Sequence, residues 1–279
     1  MPTIHKILLP VILSVLPLSA ARASIDALTI DGNEARASIA LPGGITADLA
    51  IRFESAVGLS AESLGLSVQL VDPLSPVLAG ALPGTDVSIP SAFPVLLTIA
   101  APAEAGLAFE GVVEIELYTR NLHYSADSIL RLFSSSNGQP FRDITAAASA
   151  GSYRVRGTSG EFSDFLILAD DRPLHDLVES NFTRLDESLT AHSAAIDPTV
   201  ANQLELLLAN AYLYWQAGDP GAAVEQIRLL GSTVRAAADA EQIPGVWRSS
   251  RDLPNVAGVL RANARVLRFT LGLSLAGTQ

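Results

Sequence analysis

The residue types best suited to chemistry in this 279-residue chain are two carboxylates on one predicted strand. Glu114 and Glu116 stand two residues apart, and side chains at that spacing project from the same face of a strand, about 7 Å apart. Two carboxylates that face a cleft are what a glycoside hydrolase requires. The simpler interpretation is a solvent-exposed strand face, with Val113, Ile115 and Leu117 pointing inward. We predict the exposed face and keep the hydrolase as the alternative.

Other catalytic and cofactor-binding patterns are missing from the sequence. The chain has no cysteine, which excludes disulfides, thiolate zinc sites and cysteine nucleophiles. Three histidines follow residue 23, and His175 and His192 lie about 26 Å apart on one predicted helix at 1.5 Å per residue, too far to share a metal. Neither a glycine-rich phosphate loop nor a DxDxDG calcium loop occurs. We therefore assign no catalytic residue and expect no cofactor and no metal.

Aromatic and arginine residues are the candidates for binding. Tyr118, Arg120 and Tyr124 cluster with His123 in the second half of the strand-rich region, and such a surface could contact a glycan or a protein. Burial is the rival interpretation for aromatic residues there. Trp247 is the leading single candidate, because it lies in a polar stretch between helices. It must either dock onto the rest of the protein, which we favour, or contact a partner.

The composition limits the possible partners. Hydrophobic residues make up 49% of the chain, enough for a core, which excludes a highly charged disordered protein. The formal net charge of −11 makes a nucleic-acid partner unexpected and weakens the attraction of the whole chain to anionic surfaces. Every cation after residue 23 is an arginine.

Residues 1–23 have the pattern of a secretory signal peptide. Lys6 precedes an apolar stretch from Ile7 to Ala20, and Ala21-Arg22-Ala23 supplies a small-x-small cleavage site. The stretch is shorter than the ~20 residues that a membrane-spanning helix needs. We expect a mature chain that begins near Ser24, exported to a bacterial periplasm or exterior. An uncleaved anchor is the alternative, and no later segment looks membrane-spanning.

Residues 24–170 predict an antiparallel β-sandwich, because short apolar runs alternate there with glycine, proline and aspartate turns. A barrel is the structural alternative. Phe93–Ala101 is continuously apolar and is expected to be a central strand. The predicted strands are Ile25–Ile30, Ala35–Ala40, Ile45–Phe53, Leu64–Val71, Phe93–Ala101, Val112–Tyr118, Ile129–Phe133, Phe141–Ala146, Tyr153–Gly157 and Phe162–Ala169.

Residues 174–276 predict a four-helix bundle, because the apolar spacing becomes helical after the boundary at Asp170–Pro173. Asp197-Pro198 and Asp219-Pro220 are start signals, with aspartate as N-cap and proline at the first helical position. The other two helices are expected at about His175–Ala195 and Pro254–Leu275. The fold class is thus α+β, with the strands and helices segregated.

One basic stripe is expected on the last helix. Arg261, Arg265 and Arg268 are spaced by four and three residues, which places them on one face. We interpret them as a solvent-exposed face that pairs with acidic residues of neighbouring helices.

Two segments resemble modules of secreted bacterial proteins. SYRVRGTSGEFSDFLILAD resembles the closing strands of immunoglobulin-like sandwiches, through Phe162-Ser163 and Phe165. AYLYWQAGDPGAAVEQIRLL is similar to one tetratricopeptide unit, with Tyr214, Gly218 and Ala223 in register, and also to the helical FIMAH module. These resemblances imply a fold and an accessory role, and they transfer no catalytic residue.

The leading hypothesis is an exported, non-enzymatic protein of the cell envelope or exterior that binds a protein or glycan. The alternative is a hydrolase of a cell-wall or extracellular polymer that uses Glu114 and Glu116. A structural or assembly factor of the envelope is a third possibility. The sequence leaves the ligand and the oligomeric state open.

Overall fold

The computed structural model describes residues 24–125, 128–136 and 138–276, so the predicted signal peptide lies outside the described residues. The strands are β1 (Ser24–Asp31), β2 (Glu34–Leu41), β3 (Ile45–Val57), β4 (Leu66–Leu70), β5 (Val87–Ser88), β6 (Val95–Ile99), β7 (Ala108–Tyr118), β8 (Leu130–Ser135), β9 (Arg142–Asp143), β10 (Thr145–Ala148), β11 (Arg154–Ser159), β12 (Asp164–Asp170) and β13 (Val246–Arg248). The helices are α1 (Ala61–Leu64), α2 (Pro76–Ala79), α3 (Leu174–His192), α4 (Pro198–Gln216), α5 (Pro220–Asp239) and α6 (Val256–Ala276).

The α+β class is confirmed: antiparallel sheets occupy the N-terminal half and the long helices the C-terminal half. The first sheet has the order β1-β2-β3-β7-β11-β10, and the second has the order β4-β6-β12-β8-β9, with β5 paired to β12. The central position predicted for Phe93–Ala101 agrees with β6, which lies between β4 and β12. The predicted hairpin also agrees with the pairing of β1 and β2.

The two sheets share one hydrophobic core, which follows from the alternation of apolar and polar residues along their strands. Val113, Ile115 and Leu117 of β7 point into this core, as predicted. Leu97 of β6 and Ile167 of β12 reach the same core from the second sheet. The outer face of the first sheet is therefore left to its polar side chains.

The segment Phe141–Ala146 is not the single strand that its apolar pattern predicts. Asp143 belongs to β9, which pairs with β8 in the second sheet, whereas Thr145 begins β10, which pairs with β11 in the first. The chain crosses between sheets at this point because the Asp143 carboxylate accepts a hydrogen bond from the Thr145 amide at 2.8 Å, which turns the backbone.

Helices α4 and α5 begin where the capping signals place them. The Asp197 carboxylate accepts a hydrogen bond from the Thr199 amide at 2.9 Å, and the Asp219 carboxylate accepts one from the Ala222 amide at 2.9 Å. Helix α6 packs against α3 and α5, and α5 also packs against α4. Helix α6 additionally contacts β7, β10 and β11, so it joins the helices to the first sheet.

The stretch expected to be a polar loop between the last two helices contains β13, which was not predicted. Strand β13 pairs with residues 108–110 of β7, beyond the end of β11, which covers residues 113–118 of the same strand. Part of the helix-rich region is therefore hydrogen-bonded into the first sheet. A three-residue strand gives no periodic signal, so only the tertiary partner reveals it.

The start of α6 touches the backbone of the sheet region directly. The Asn255 side-chain amide donates hydrogen bonds to the Gly111 carbonyl at 2.7 Å and the Gly160 carbonyl at 3.0 Å, while its oxygen accepts one from the Gly258 amide at 2.9 Å. A Cβ atom on Gly258 would lie 2.2 Å from the Gly111 carbonyl oxygen. Only a residue without a side chain permits this approach.

The arginine stripe of α6 has a different partner from the one predicted. Arg261 forms a bidentate ion pair with Glu54 of β3, at 2.6 and 2.7 Å, and Arg265 reaches the same carboxylate at 3.1 Å. The expectation of acidic partners on neighbouring helices is corrected for these two residues, because α6 lies against the first sheet. Arg268 is exposed.

Candidate functional site

Trp247, the leading binding candidate, lies in the core. Its side chain is 6% exposed, stacks on Phe109 with ring centroids 5.1 Å apart, and meets Phe162 edge-on at 4.8 Å. The pairing of Trp247 with Phe109 across β13 and β7 turns the indole inward. Trp247 therefore docks onto the rest of the protein, which is the interpretation that we favoured. The alternative, that Trp247 contacts a partner, is wrong.

Tyr124 is also corrected as a surface binding residue, because it is only 1% exposed. A backbone bridge to Ser152, with the Tyr124 amide donating to the Ser152 carbonyl at 3.0 Å, holds the ring against the core. Burial raises the pKa of Tyr124, although the charge of Arg131 acts in the opposite direction. Tyr124 therefore supports the fold at this edge of the sheet region.

Tyr118 and Arg120 remain at the surface, where the structure adds Tyr153. The Arg120 Nε donates a hydrogen bond to the Tyr118 hydroxyl at 3.2 Å. Tyr118 meets Tyr153 edge-on with centroids 6.2 Å apart, and the Arg154 guanidinium lies 5.3 Å from the centre of the Tyr118 ring. Exposed His123 meets Tyr153 edge-on at 5.3 Å. The sequence did not single out Tyr153. It lies beside Tyr118 because of the register between β11 and β7, which the sequence does not reveal.

The two candidate carboxylates lie on the outer face of β7, and both are paired with arginines from the flanking strands. Glu116 lies 2.5 Å from Arg156 and 3.5 Å from Arg52. Arg52 also contacts Glu114 at 3.0 Å. The register explains this network, since Arg156 of β11 is directly opposite Glu116 and Arg52 of β3 is opposite Glu114.

The expected solvent exposure is wrong for Glu116, which is only 7% exposed because the arginine side chains cover it. Burial alone would raise the pKa of Glu116, but the hydrogen bond from Arg156 and the charges of Arg156, Arg52 and Arg154 outweigh burial and lower it. A catalytic acid needs a raised pKa, so this arrangement holds Glu116 ionised as an ion-pair partner.

A shallow groove of about 350 Å³ lies on this outer face of the first sheet. Its charged and aromatic members form what we call the arginine–tyrosine face, consisting of Arg36, Asp48, Arg52, Glu116, Tyr118 and Arg154. Tyr153 and Arg120 extend this face through their contacts with Tyr118. The face offers guanidinium donors beside aromatic rings, which suits the binding of a polar ligand.

Replacing Glu116 with glutamine should lower the free energy of unfolding by about 1.5–3 kcal/mol at pH 7, the range for a hydrogen bond to a charged group. The folded-state pKa of Glu116 lies below its unfolded value of 4.5, so this stabilisation is present above pH 4.5. It is lost as the pH falls from there through the folded-state pKa.

Urea unfolding of the wild type and the Glu116→Gln variant at pH 7 and at successively lower pH measures this difference. Glu205→Gln, a charge loss at an exposed position of α4, is the matched control and should change little at either pH. If the difference in the free energy of unfolding between the wild type and Glu116→Gln stayed constant down to pH 3, the ion-pair network would be contradicted.

The described part of the chain brings no three His, Asp or Glu side chains together in a way that could hold a metal ion. None of the helices in the described ranges combines the length and apolar character that a membrane-spanning segment requires.

The model of a protein family of unknown function, DUF6689, matches residues 11–274 of the chain. The match spans both the strand-rich and the helix-rich region. No curated protein matches the chain.

Proposed function

We propose that this chain, which belongs to the DUF6689 family, is an exported, non-enzymatic protein of the bacterial cell envelope or exterior that binds a partner through the arginine–tyrosine face. The observation that carries this proposal is the surface pair of Tyr118 and Tyr153, flanked by Arg120 and Arg154. Tyrosine and arginine are the residue types enriched where proteins bind partners, because they combine a large apolar area with a polar end.

A glycan is the partner class that this face fits better than a protein. Protein interfaces of standard size have an apolar centre that excludes water, whereas five of the eleven described residues that line this groove are charged. Sugar hydroxyls can instead accept hydrogen bonds from guanidinium groups, while the apolar face of a sugar ring packs against an aromatic ring. The exposed fraction of Tyr153, 38%, leaves ring area available for such a contact.

The polymer hydrolase is the weaker proposal, because its two carboxylates are engaged with arginines. Glu116 would have to give up its contacts with Arg156 and Arg52 before it could act on a substrate. The non-enzymatic proposal needs no such rearrangement.

The proposed architecture is a β-sandwich followed by a four-helix bundle. The shared core of the two sheets supports the sandwich, and the contacts of α6 with α3 and α5, and of α5 with α4, support the bundle. Export rests on the signal-like residues 1–23, and it predicts an N-terminus at Ser24 in protein recovered from the periplasm or medium, readable by mass spectrometry.

Replacing both Tyr118 and Tyr153 with alanine should weaken glycan binding by about tenfold or more, because each ring supplies contact area on the arginine–tyrosine face. The measurement is isothermal titration of the chain from Ser24 with defined envelope glycans, beginning with peptidoglycan fragments and acidic oligosaccharides. Tyr214→Ala, which removes a 42% exposed tyrosine from α4, is the matched control and should bind as the wild type does.

Binding that persists in the double variant would place the ligand elsewhere on the protein. The absence of binding to every glycan class would reject the glycan proposal. Release of shortened oligosaccharides during the titration, abolished in Glu116→Gln, would establish the hydrolase instead.

A further inference from the structure

A second groove, lined by five arginines, lies between α5 and α6 and shares no lining residue with the groove of the arginine–tyrosine face. Its volume is about 190 Å³. The arginines come from both helices, and they are Arg228, Arg235, Arg261, Arg265 and Arg268. No carboxylate belongs to the lining, and Ile227, Gly231, Ser232 and Ala264 complete it.

The arginines of this groove are incompletely neutralised. Glu54 forms ion pairs with both Arg261 and Arg265, and Glu225 forms one with Arg228 at 2.6 Å. Two carboxylates for five guanidinium groups leave an excess of three positive charges, on a protein whose net charge is −11. An anion inside the groove would therefore meet more guanidinium groups than carboxylates, although Asp239 and Glu241 lie beside Arg235 in the adjacent cavity.

The unneutralised guanidinium groups stand at the groove from both sides. Arg235 of α5 and Arg268 of α6 are exposed, and within the described ranges neither side chain forms an ion pair or a hydrogen bond. Burial lowers the pKa of the neighbouring Arg265; Glu54 acts in the opposite direction, while the charges of Arg261 and Arg268 lower it further. An anion between the helices would relieve this repulsion.

Open space lies over a glycine inside one of the two helices. Gly231 lies in the interior of α5, and a Cβ atom there would meet no heavy atom within 4 Å. Glycine in a helix interior destabilises the helix relative to alanine. The open space above Gly231 lets a ligand approach the helix surface between the arginines.

We propose that this groove binds a phosphate group through Arg235 and Arg268, with Arg228 and Arg265 beside it. Guanidinium groups bind phosphate oxygens through paired, charge-assisted hydrogen bonds, and a doubly charged phosphomonoester matches the excess charge better than a single carboxylate. The small volume fits a compact headgroup. The group is either free phosphate or the phosphomonoester of a lipid headgroup, and these sources share the same chemistry.

Isothermal titration of the chain from Ser24 with inorganic phosphate at low ionic strength tests the proposal, with chloride as the reference anion. The Arg235→Gln, Arg268→Gln double variant should weaken phosphate binding about tenfold or more. The matched control removes two exposed arginines elsewhere, as Arg142→Gln with Arg248→Gln, and should bind phosphate as the wild type does.

A second variant keeps every charge in place. Gly231→Gln inserts a side chain into the groove and should also weaken binding, whereas Gly231→Ala should leave binding nearly unchanged. Thermal unfolding of each variant identifies any that fails to fold, and the remaining variants still decide the result.

Vesicles of phosphatidylcholine with and without phosphatidic acid distinguish the two sources. Binding to phosphatidic acid vesicles that is lost in the Arg235→Gln, Arg268→Gln variant assigns a lipid headgroup, and binding of inorganic phosphate alone assigns a soluble ligand. Absence of phosphate and vesicle binding, or equal loss in the Arg142→Gln, Arg248→Gln control, would overturn the proposal. Glycan binding at the arginine–tyrosine face should be unchanged in the groove variants, so the two proposals fail separately.

Discussion

Replacing Trp247 with alanine is expected to lower the free energy of unfolding by about 3–5 kcal/mol, the range for truncating a buried aromatic residue. The indole fills space between Phe109 and Phe162. Its removal leaves a cavity that the rings cannot close, because Phe109 is held in β7 by backbone pairing on both sides. Urea unfolding followed by far-ultraviolet circular dichroism measures the loss.

Two matched variants sharpen this test. Trp247→Phe keeps most of the contact area and should lower the free energy of unfolding by less than half as much as Trp247→Ala does. Trp215→Ala removes the chain's other tryptophan, which is only half-buried. The Nε1 of Trp215 donates a hydrogen bond to Glu179 at 2.8 Å. This substitution should also lower the free energy of unfolding by less than Trp247→Ala does. Equal losses for Trp247→Ala and Trp215→Ala would show that the indole of Trp247 is not packed in the core.

Replacing Gly258 with alanine is the second change expected to have a large effect, about 1–3 kcal/mol or more. The added Cβ would lie 2.2 Å from both the Gly111 carbonyl oxygen and the Asn255 side-chain nitrogen. Helix α6 would have to move away from β7, and the hydrogen bonds of Asn255 to Gly111 and Gly160 would lengthen. Chemical denaturation measures the loss of stability.

Gly272→Ala is the control in the same helix, because a Cβ atom at Gly272 would meet no heavy atom within 4 Å. It should stabilise the protein by up to about 1 kcal/mol, the helix-propensity difference between glycine and alanine. If both variants were stabilising, the close approach of α6 to the sheet region would be contradicted.

Much of the fold could be predicted from the sequence, because its signals are local. Alternation along residues 45–53 reports which face of β3 is buried, and the aspartate–proline pairs at residues 197–198 and 219–220 report where helices begin. Each signal depends on a residue's own conformational preference or on a fixed repeat, and both can be read without knowing the partner.

The candidate site was only partly predictable. Tyr118 and Arg120 were predicted as binding residues and lie at the surface, but Trp247 and Tyr124 are buried, and Tyr153 was not singled out. An aromatic residue gives the same sequence signal whether it packs in a core or faces solvent. Whether an aromatic residue is buried or exposed depends on which strand lies beside it, and the residue types alone do not give that neighbour.

The amino-acid sequence by itself determined the division into a strand-rich and a helix-rich region, the inward sides of β3 and β7, and the starts of α4 and α5. Only the tertiary structure decided that β13 would join β7, that Glu54 would pair with Arg261, and that arginines of α5 and α6 would face one groove. The physical reason is the range of the interactions involved. Periodicity and capping act over a few residues, whereas cross-strand register and helix packing join residues far apart in the chain.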